Sequence, residues 1–249
     1  MSKHNSMVFI LGSLLVLTIL GASDEPKDAD AYCKRGDSWL EKREYDKAIA
    51  DYTEALRLDP KLVKAYYNRA VAWSEKADYD RAIADFTEAL RLEPDKPDTL
   101  NGRGTAWFKK GDFDKSIGDY TEALRFDPKY FEAHHNLSMA WFRKGDYDRT
   151  IDETTQALSL RPDDDYMHWR RGEARFHKRD YVRAIADYSS SRANAWLDDG
   201  HPDKAIADFI EVLRLDPNGA EAYAGRATAW IRTREPGASL GPRAHDGSR

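Results

Sequence analysis

The sequence predicts an all-α fold of stacked helical hairpins, and three observations carry that prediction. Tryptophans fall at Trp39, Trp73, Trp107 and Trp141, each 34 residues after the last. With blocks starting at residues 29, 63, 97, 131 and 165, position 8 is always small: Gly36, Ala70, Gly104, Ser138 and Gly172. Position 32 is proline in the first four blocks: Pro60, Pro94, Pro128 and Pro162. A period of this length marks an array whose units bury their apolar faces only by stacking on one another.

Composition agrees with an array and excludes several functions. Of 249 residues 41% are hydrophobic and 12% aromatic, too apolar for overall disorder. The net charge is −5 with both signs mixed along the chain, so no basic face is available to meet phosphate, and no nucleic-acid partner is expected. Cys33 is the single cysteine, which leaves no internal disulfide and no thiolate cluster for a metal.

Along the chain, the first element is the uncharged run "MVFILGSLLVLTILGA" (7–22), preceded by Lys3 and followed by "SDEPKDAD". Two readings stay open for residues 1–23: a secretory signal peptide ending near Ser23, or an N-terminal membrane anchor. The run is shorter than the roughly 20 residues a span requires. Either reading places the rest of the chain outside the cytoplasm, as an exported (periplasmic or extracellular) protein or one tethered to the membrane. Residues 24–28 form a linker.

Five hairpins follow, at 29–62, 63–96, 97–130, 131–164 and from 165 onward. Each has a helix A at positions 1–14 and a helix B at 18–30. Small residues at positions 8 and 20 let the two helices approach, and large rings at 11 and 24 fill the space beside them. Proline at 32 ends helix B, because it cannot continue a helix interior. The turns "KREYD", "KADYD", "KGDFD" and "KGDYD" are expected to close on an Asp N-cap at position 18: Asp46, Asp80, Asp114 and Asp148. Helix B carries basic–acidic pairs four apart (Lys47/Asp51, Arg81/Asp85, Lys115/Asp119, Arg149/Glu153, Arg183/Asp187, Lys204/Asp208), which read as a solvated face.

The series breaks once. The tryptophan due at position 11 of block 5 is Arg175, and Trp196 follows only 21 residues later, 13 short of the period. "DYSSSRANAW" (187–196) spans the join with no proline, glycine or loop-length segment, and serine tolerates a helix interior. One continuous helix is therefore expected from about Val182 to Asp198, joining 165–188 to 189–219. A half-block at 220–233 supplies a last helix, and 234–249 reads as a disordered tail.

The small, aromatic and proline positions resemble the tetratricopeptide repeat family over about residues 28–233. Arg175, Thr150 and Thr154 depart from its pattern and predict looser packing in blocks 4 and 5. The resemblance implies a right-handed superhelical solenoid whose inner groove is lined mainly by helices A, through positions 2, 5, 9, 12 and 13. Positions 5 and 12 then give the candidate peptide-binding residues Tyr67, Asn101, Phe108, His135, Phe142, Trp169 and Phe176. Rings supply contact area at low entropic cost, and Asn or His holds a peptide backbone. For position 12 two readings stay open, a ligand-facing one and packing against a neighbouring helix A. The groove is expected to end at block 5, with 199–233 as a cap.

One subfamily clamps acidic chaperone tails; the corresponding residues here are Cys33, Asp37, Asn68, Asp98 and Gly102, of which only Asn68 fits. None of the seven histidines forms a pair at metal spacing, although His134 and His168 both occupy position 4. No catalytic residue, metal or cofactor is expected, and "RPDDDY" (161–166) reads as a solvated turn. The sequence thus points to a non-catalytic scaffold binding a peptide or partner helix, partner unspecified. A self-associating structural unit and an accessory subunit of an envelope enzyme complex are the alternatives.

Overall fold

A computed structural model describes residues 27–234. The signal or anchor reading of 1–23 and the tail reading from 235 onward lie outside the described residues. Twelve helices are described: α1 (Ala29–Glu41), α2 (Tyr45–Leu58), α3 (Val63–Glu75), α4 (Tyr79–Leu92), α5 (Pro97–Lys110), α6 (Phe113–Phe126), α7 (Phe131–Lys144), α8 (Tyr147–Leu160), α9 (Asp165–His177), α10 (Tyr181–Asp198), α11 (Pro202–Leu215) and α12 (Ala220–Arg234). They form two compact units, one ending at Pro94 and the other beginning at Asp95. In the first, α1 to α4 each pack on the next, and α1 also touches α3. In the second, α5 to α12 pack in the same consecutive order, with α5 touching α7 and α10 touching α12.

The hairpins close as their residue sizes require. A Cβ on Gly36 would lie 2.7 Å from the ring of Tyr52, one on Gly104 2.7 Å from Tyr120, and one on Gly172 2.8 Å from Tyr188. The position-24 ring thus occupies the space that the missing side chain leaves. Thr150 and Thr154 are fully buried, and their hydroxyls donate to helical carbonyls, so block 4 is not loosened there.

The turns are tighter than the sequence reading allowed. The amide at position 16 donates to the carbonyl at position 11 in every hairpin, as in Asp112 to Trp107 (3.0 Å) and Asp180 to Arg175 (2.9 Å). This Schellman closure puts position 15 in the left-handed region, held by Gly111 and Gly145 but also by Arg43, Ala77 and Arg179. Position 16 is at once the end of that closure and the N-cap of helix B. The caps are therefore Asp78, Asp112, Asp146 and Asp180, each accepting from the amide three residues on, and not Asp46, Asp80, Asp114 and Asp148. Three of the latter reach forward instead, accepting from the next helix A in the pairs Asp46–Lys76, Asp114–Lys144 and Asp148–Lys178.

The fused helix is present. α10 runs unbroken through Ser189–Ser191, packing on α9 as the second helix of one hairpin and on α11 as the first of the next. The fusion leaves part of α10 uncovered. The position-21 isoleucine is 9% exposed at Ile49 and 8% at Ile83 but 51% at Ile185, with Tyr181 and Val182 similarly open.

Candidate functional site

The recurring acids of helix B define the electrostatic frame. Asp51, Asp85, Asp119 and Asp187 are buried and do not pair four residues back along a solvated face. Each meets an arginine at position 7 of its own hairpin's first helix. Arg35 grips Asp51 with two bonds of 2.7 Å, Arg69 grips Asp85 with two of 2.7 Å, and Arg103 grips Asp119 at 2.9 and 2.7 Å. Arg192 and Asp208 repeat the fork at a more exposed place. The position-19 cations lie over the tryptophans, Arg81 4.5 Å from the Trp73 centroid and Lys204 4.0 Å from that of Trp196. Forked guanidinium–carboxylate bonds fix the angle between two helices, because both planes must align.

Block 4 replaces this pair with Leu137 and Glu153, and His134 takes the arginine's part. Its Nδ1 lies 2.7 Å from Glu153 and its Nε2 3.2 Å from the Pro128 carbonyl. Both partners are acceptors, so the arrangement favours the doubly protonated imidazole, with an N–H toward each. Burial alone would lower its pKa, but the Glu153 carboxylate and the Pro128 carbonyl outweigh burial and raise it above the ordinary histidine value. A raised folded-state value stabilises fully below the unfolded pKa and is lost as pH rises through the folded one. The second unit is therefore expected to lose stability as pH climbs above about 6.5. Denaturation at a series of pH values should show that loss in the wild type and its reduction in Glu153→Gln; equal slopes would refute the assignment.

In the first unit the inner positions satisfy one another. Asp37 accepts from Tyr52 (2.9 Å), Asn68 (2.7 Å) and Lys64 (2.6 Å), so Asn68 is committed within the fold. Cys33 is buried, and burial together with Asp37 pushes its thiol up to about 11. Tyr67 meets Phe86 edge-on at 5.6 Å and serves as a packing ring.

The other six candidates lie in the second unit. Asn101 accepts from Asn136 at 2.9 Å. Phe108, Phe142 and Phe176 each meet the first residue of the following helix edge-on: Phe113 at 5.3 Å, Tyr147 at 5.6 Å and Tyr181 at 5.6 Å. Phe108 is also packed against Leu137 and Ala140 of α7, the neighbour-packing reading of position 12. Accessibility rises toward block 5, where Trp169 is 39% and Phe176 52% exposed.

Ring contacts gather most of these residues into two runs, which Arg170 joins into one strip. His135 lies 5.2 Å from Tyr166, which lies 5.7 Å from Trp169. Phe142 lies 5.7 Å from His177, which stacks on Tyr147 at 4.6 Å and meets Phe176 at 6.2 Å. Arg170 bridges the two runs, 4.6 Å from the Phe142 centroid, 5.2 Å from Tyr166 and 5.0 Å from Trp169. Burial lowers the His135 pKa, with Asp164 opposing and Arg170 adding to the shift. The sequence reading passed over Tyr166, His177, Arg143 and Arg170. The first three occupy positions 2 and 13, already assigned to the inner face. Among the described residues no cluster of His, Cys, Asp or Glu could hold a metal ion.

Consecutive helical hairpins with a ring-lined strip on their first helices define a helical-repeat fold. Tetratricopeptide repeat models match residues 29–62 and, in overlapping stretches, 67–131, 108–154, 135–196 and 190–241; the chain belongs to the tetratricopeptide repeat family. Its fold is similar to MamA 41-end from Desulfovibrio magneticus RS-1, with a TM-score of 0.65 at 18% identity over 68% of this chain and 96% of that one. A second MamA crystal structure gives a TM-score of 0.62 at 19% identity, covering 64% of this chain and 94% of that one. YrrB, described as a TPR protein with an unusual peptide-binding site, gives 0.55 at 19% identity over 80% and 92% of the two chains. No curated protein matches the sequence.

Proposed function

We propose that this protein is a non-catalytic scaffold that binds a peptide or partner helix on the ring-lined face of its second unit. One observation carries the reading: the run His135–Tyr166–Trp169 and the run Phe142–His177–Phe176 are bridged by Arg170, and each ends in a large, partly exposed ring. Exposed aromatic area at low entropic cost is what a protein-binding surface presents. The peptide-binding site ascribed to YrrB, on a similar fold, supports it. Replacing Trp169 and Phe176 together with Ala is expected to weaken partner capture at least about tenfold, a loss near 1.4 kcal/mol. Helical content by circular dichroism should stay unchanged, because neither side chain belongs to the buried core; undiminished capture refutes the reading.

The same proposal places the array outside the cytoplasm, exported or membrane-tethered, on the strength of the apolar run at 7–22. Among the described residues no helix is long and apolar enough to cross a membrane; the proposal takes the run at 7–22 as the tether. The mass of the mature protein separates cleavage from anchoring.

A further inference from the structure

Two arginines that rest on rings of the second unit, Arg170 on the strip and Arg143 on Phe108 and Phe113 beside it, stand apart from the others around them. Arg103, Arg171, Arg149 and Arg161 of the same unit each pair with a carboxylate. Arg143 and Arg170 have no carboxylate partner among the described residues. Arg143 is exposed and lies 4.9 Å from the Phe113 centroid and 5.7 Å from that of Phe108. Arg170 rests on three rings, its Nη2 donates to the Tyr166 hydroxyl, and its Nε is buried without an acceptor.

The nearby acids have other hydrogen-bond partners and pair with neither arginine. Glu132 accepts from Arg161 at 2.7 Å, Glu173 accepts from the Tyr188 hydroxyl at 2.7 Å, and Asp164 caps the amide of Met167 at 2.8 Å. A chain of net charge −5 thus rests two guanidiniums on the rings of its first helices with no carboxylate paired to either among the described residues. Rings hold a guanidinium flat by cation–π contact while leaving nitrogens at its edge able to donate to a carboxylate; at Arg170 that nitrogen is Nη1, because Nε is buried and Nη2 is held by Tyr166.

We infer that the occupant of this face is an acidic peptide segment, in which glutamate or aspartate side chains alternate with apolar or aromatic ones. Its carboxylates pair with Arg143 and Arg170, and its apolar side chains cover Phe142, Trp169 and Phe176. This rests on the peptide-binding reading above and adds the chemistry of the ligand. Opposite charge selects the partner as well as speeding its approach.

The test uses the full chain and three short fluorescein-labelled peptides of one apolar–polar pattern, whose polar residues are Glu, Gln or Lys. The Glu peptide is expected to bind at least about tenfold more tightly than the Gln peptide at low salt, and to weaken as salt is raised. The Lys peptide should not bind. Arg170→Gln is expected to remove most of that preference. Arg143→Gln, at an exposed side chain that cannot unsettle the fold, should reduce it in the same direction. Equal affinity for Glu and Gln peptides overturns the acidic ligand while leaving the ring-lined face standing as a peptide site. Glu-peptide binding that is indifferent to Trp169→Ala and Phe176→Ala overturns the site itself, and the inference with it.

Discussion

Asp187→Asn lowers the stability of the second unit by about 3–5 kcal/mol, the range for removing one partner from a buried ion cluster. Asp187 is 2% exposed and is the sole carboxylate between two guanidiniums. Arg171 donates to its Oδ1 from Nε at 3.0 Å and from Nη2 at 2.9 Å, and Arg175 donates to its Oδ2 at 2.7 Å. Burial alone would push this carboxyl up, but His168 at 4.0 Å and the two guanidiniums hold it below the usual carboxylate range. An amide in its place leaves two positive charges facing each other in a dry site. Because arrays unfold in parts, the readout is hydrogen exchange across α9 and α10 alongside denaturant melting. Asp208→Asn is the control: its partner Arg192 is 61% exposed, so the expected loss is within about 1 kcal/mol. If both variants lose equally little, the Asp187 cluster does not hold the hairpin.

Arg175 breaks the tryptophan series, and the cluster explains it. The side chain that would lie under a position-19 cation turns inward to Asp187, while Arg183 pairs with Asp180 instead. Arg175→Trp should therefore cost less than Asp187→Asn, since it leaves Arg171 and Asp187 in the pairing that other blocks use. Combined with Asp187→Asn it should recover part of the loss, because the two sites share one network.

What the sequence made legible was whatever repeats at short range. The hairpins, their small and aromatic positions and the fused helix all follow from residue size and from the absence of any breaker between Val182 and Asp198. The cap positions were misread because the Schellman closure shortens the turn, a backbone event that leaves little trace in residue type beyond Gly111 and Gly145. The buried acids were misread for a different reason. Four residues back along the same helix stands a base, a plausible partner, while the true one lies sixteen residues earlier across the hairpin, as with Arg103 and Asp119. A signal for it was available. Arginine at position 7 and aspartate at position 23 recur together, and in block 4 both change at once, to Leu137 and Glu153. The candidate site was legible only as a list of positions. Which rings touch, and which arginines lack a carboxylate, depends on side-chain directions that helix spacing does not fix.

Ser190→Pro is expected to cost about 3 kcal/mol or more, because proline in a helix interior removes one hydrogen bond and clashes with the preceding turn. Ser190 is 5% exposed in the middle of α10, where the helix changes from the partner of α9 to the partner of α11. A break there restores the joint that a complete repeat would have. The cluster of Ala193, Leu197, Phe209 and Ala222 on the far side would still be packed, but no rigid rod would tie it to the Asp187 hairpin. Hydrogen exchange should accordingly speed up around 188–192 first, and α11 and α12 should then melt apart from α9 in a separate transition. Ser190→Ala, which removes the hydroxyl and favours helix, should raise stability slightly or leave it unchanged. Proline tolerated at 190 with exchange unaltered would mean that the chain already bends there, and α10 could not then be one element serving two hairpins. The same break bears on the exposed Tyr181, Val182 and Ile185. They are uncovered because α10 continues into the next hairpin instead of letting a separate helix fold back over them, so freeing that continuation is what would allow them to be covered.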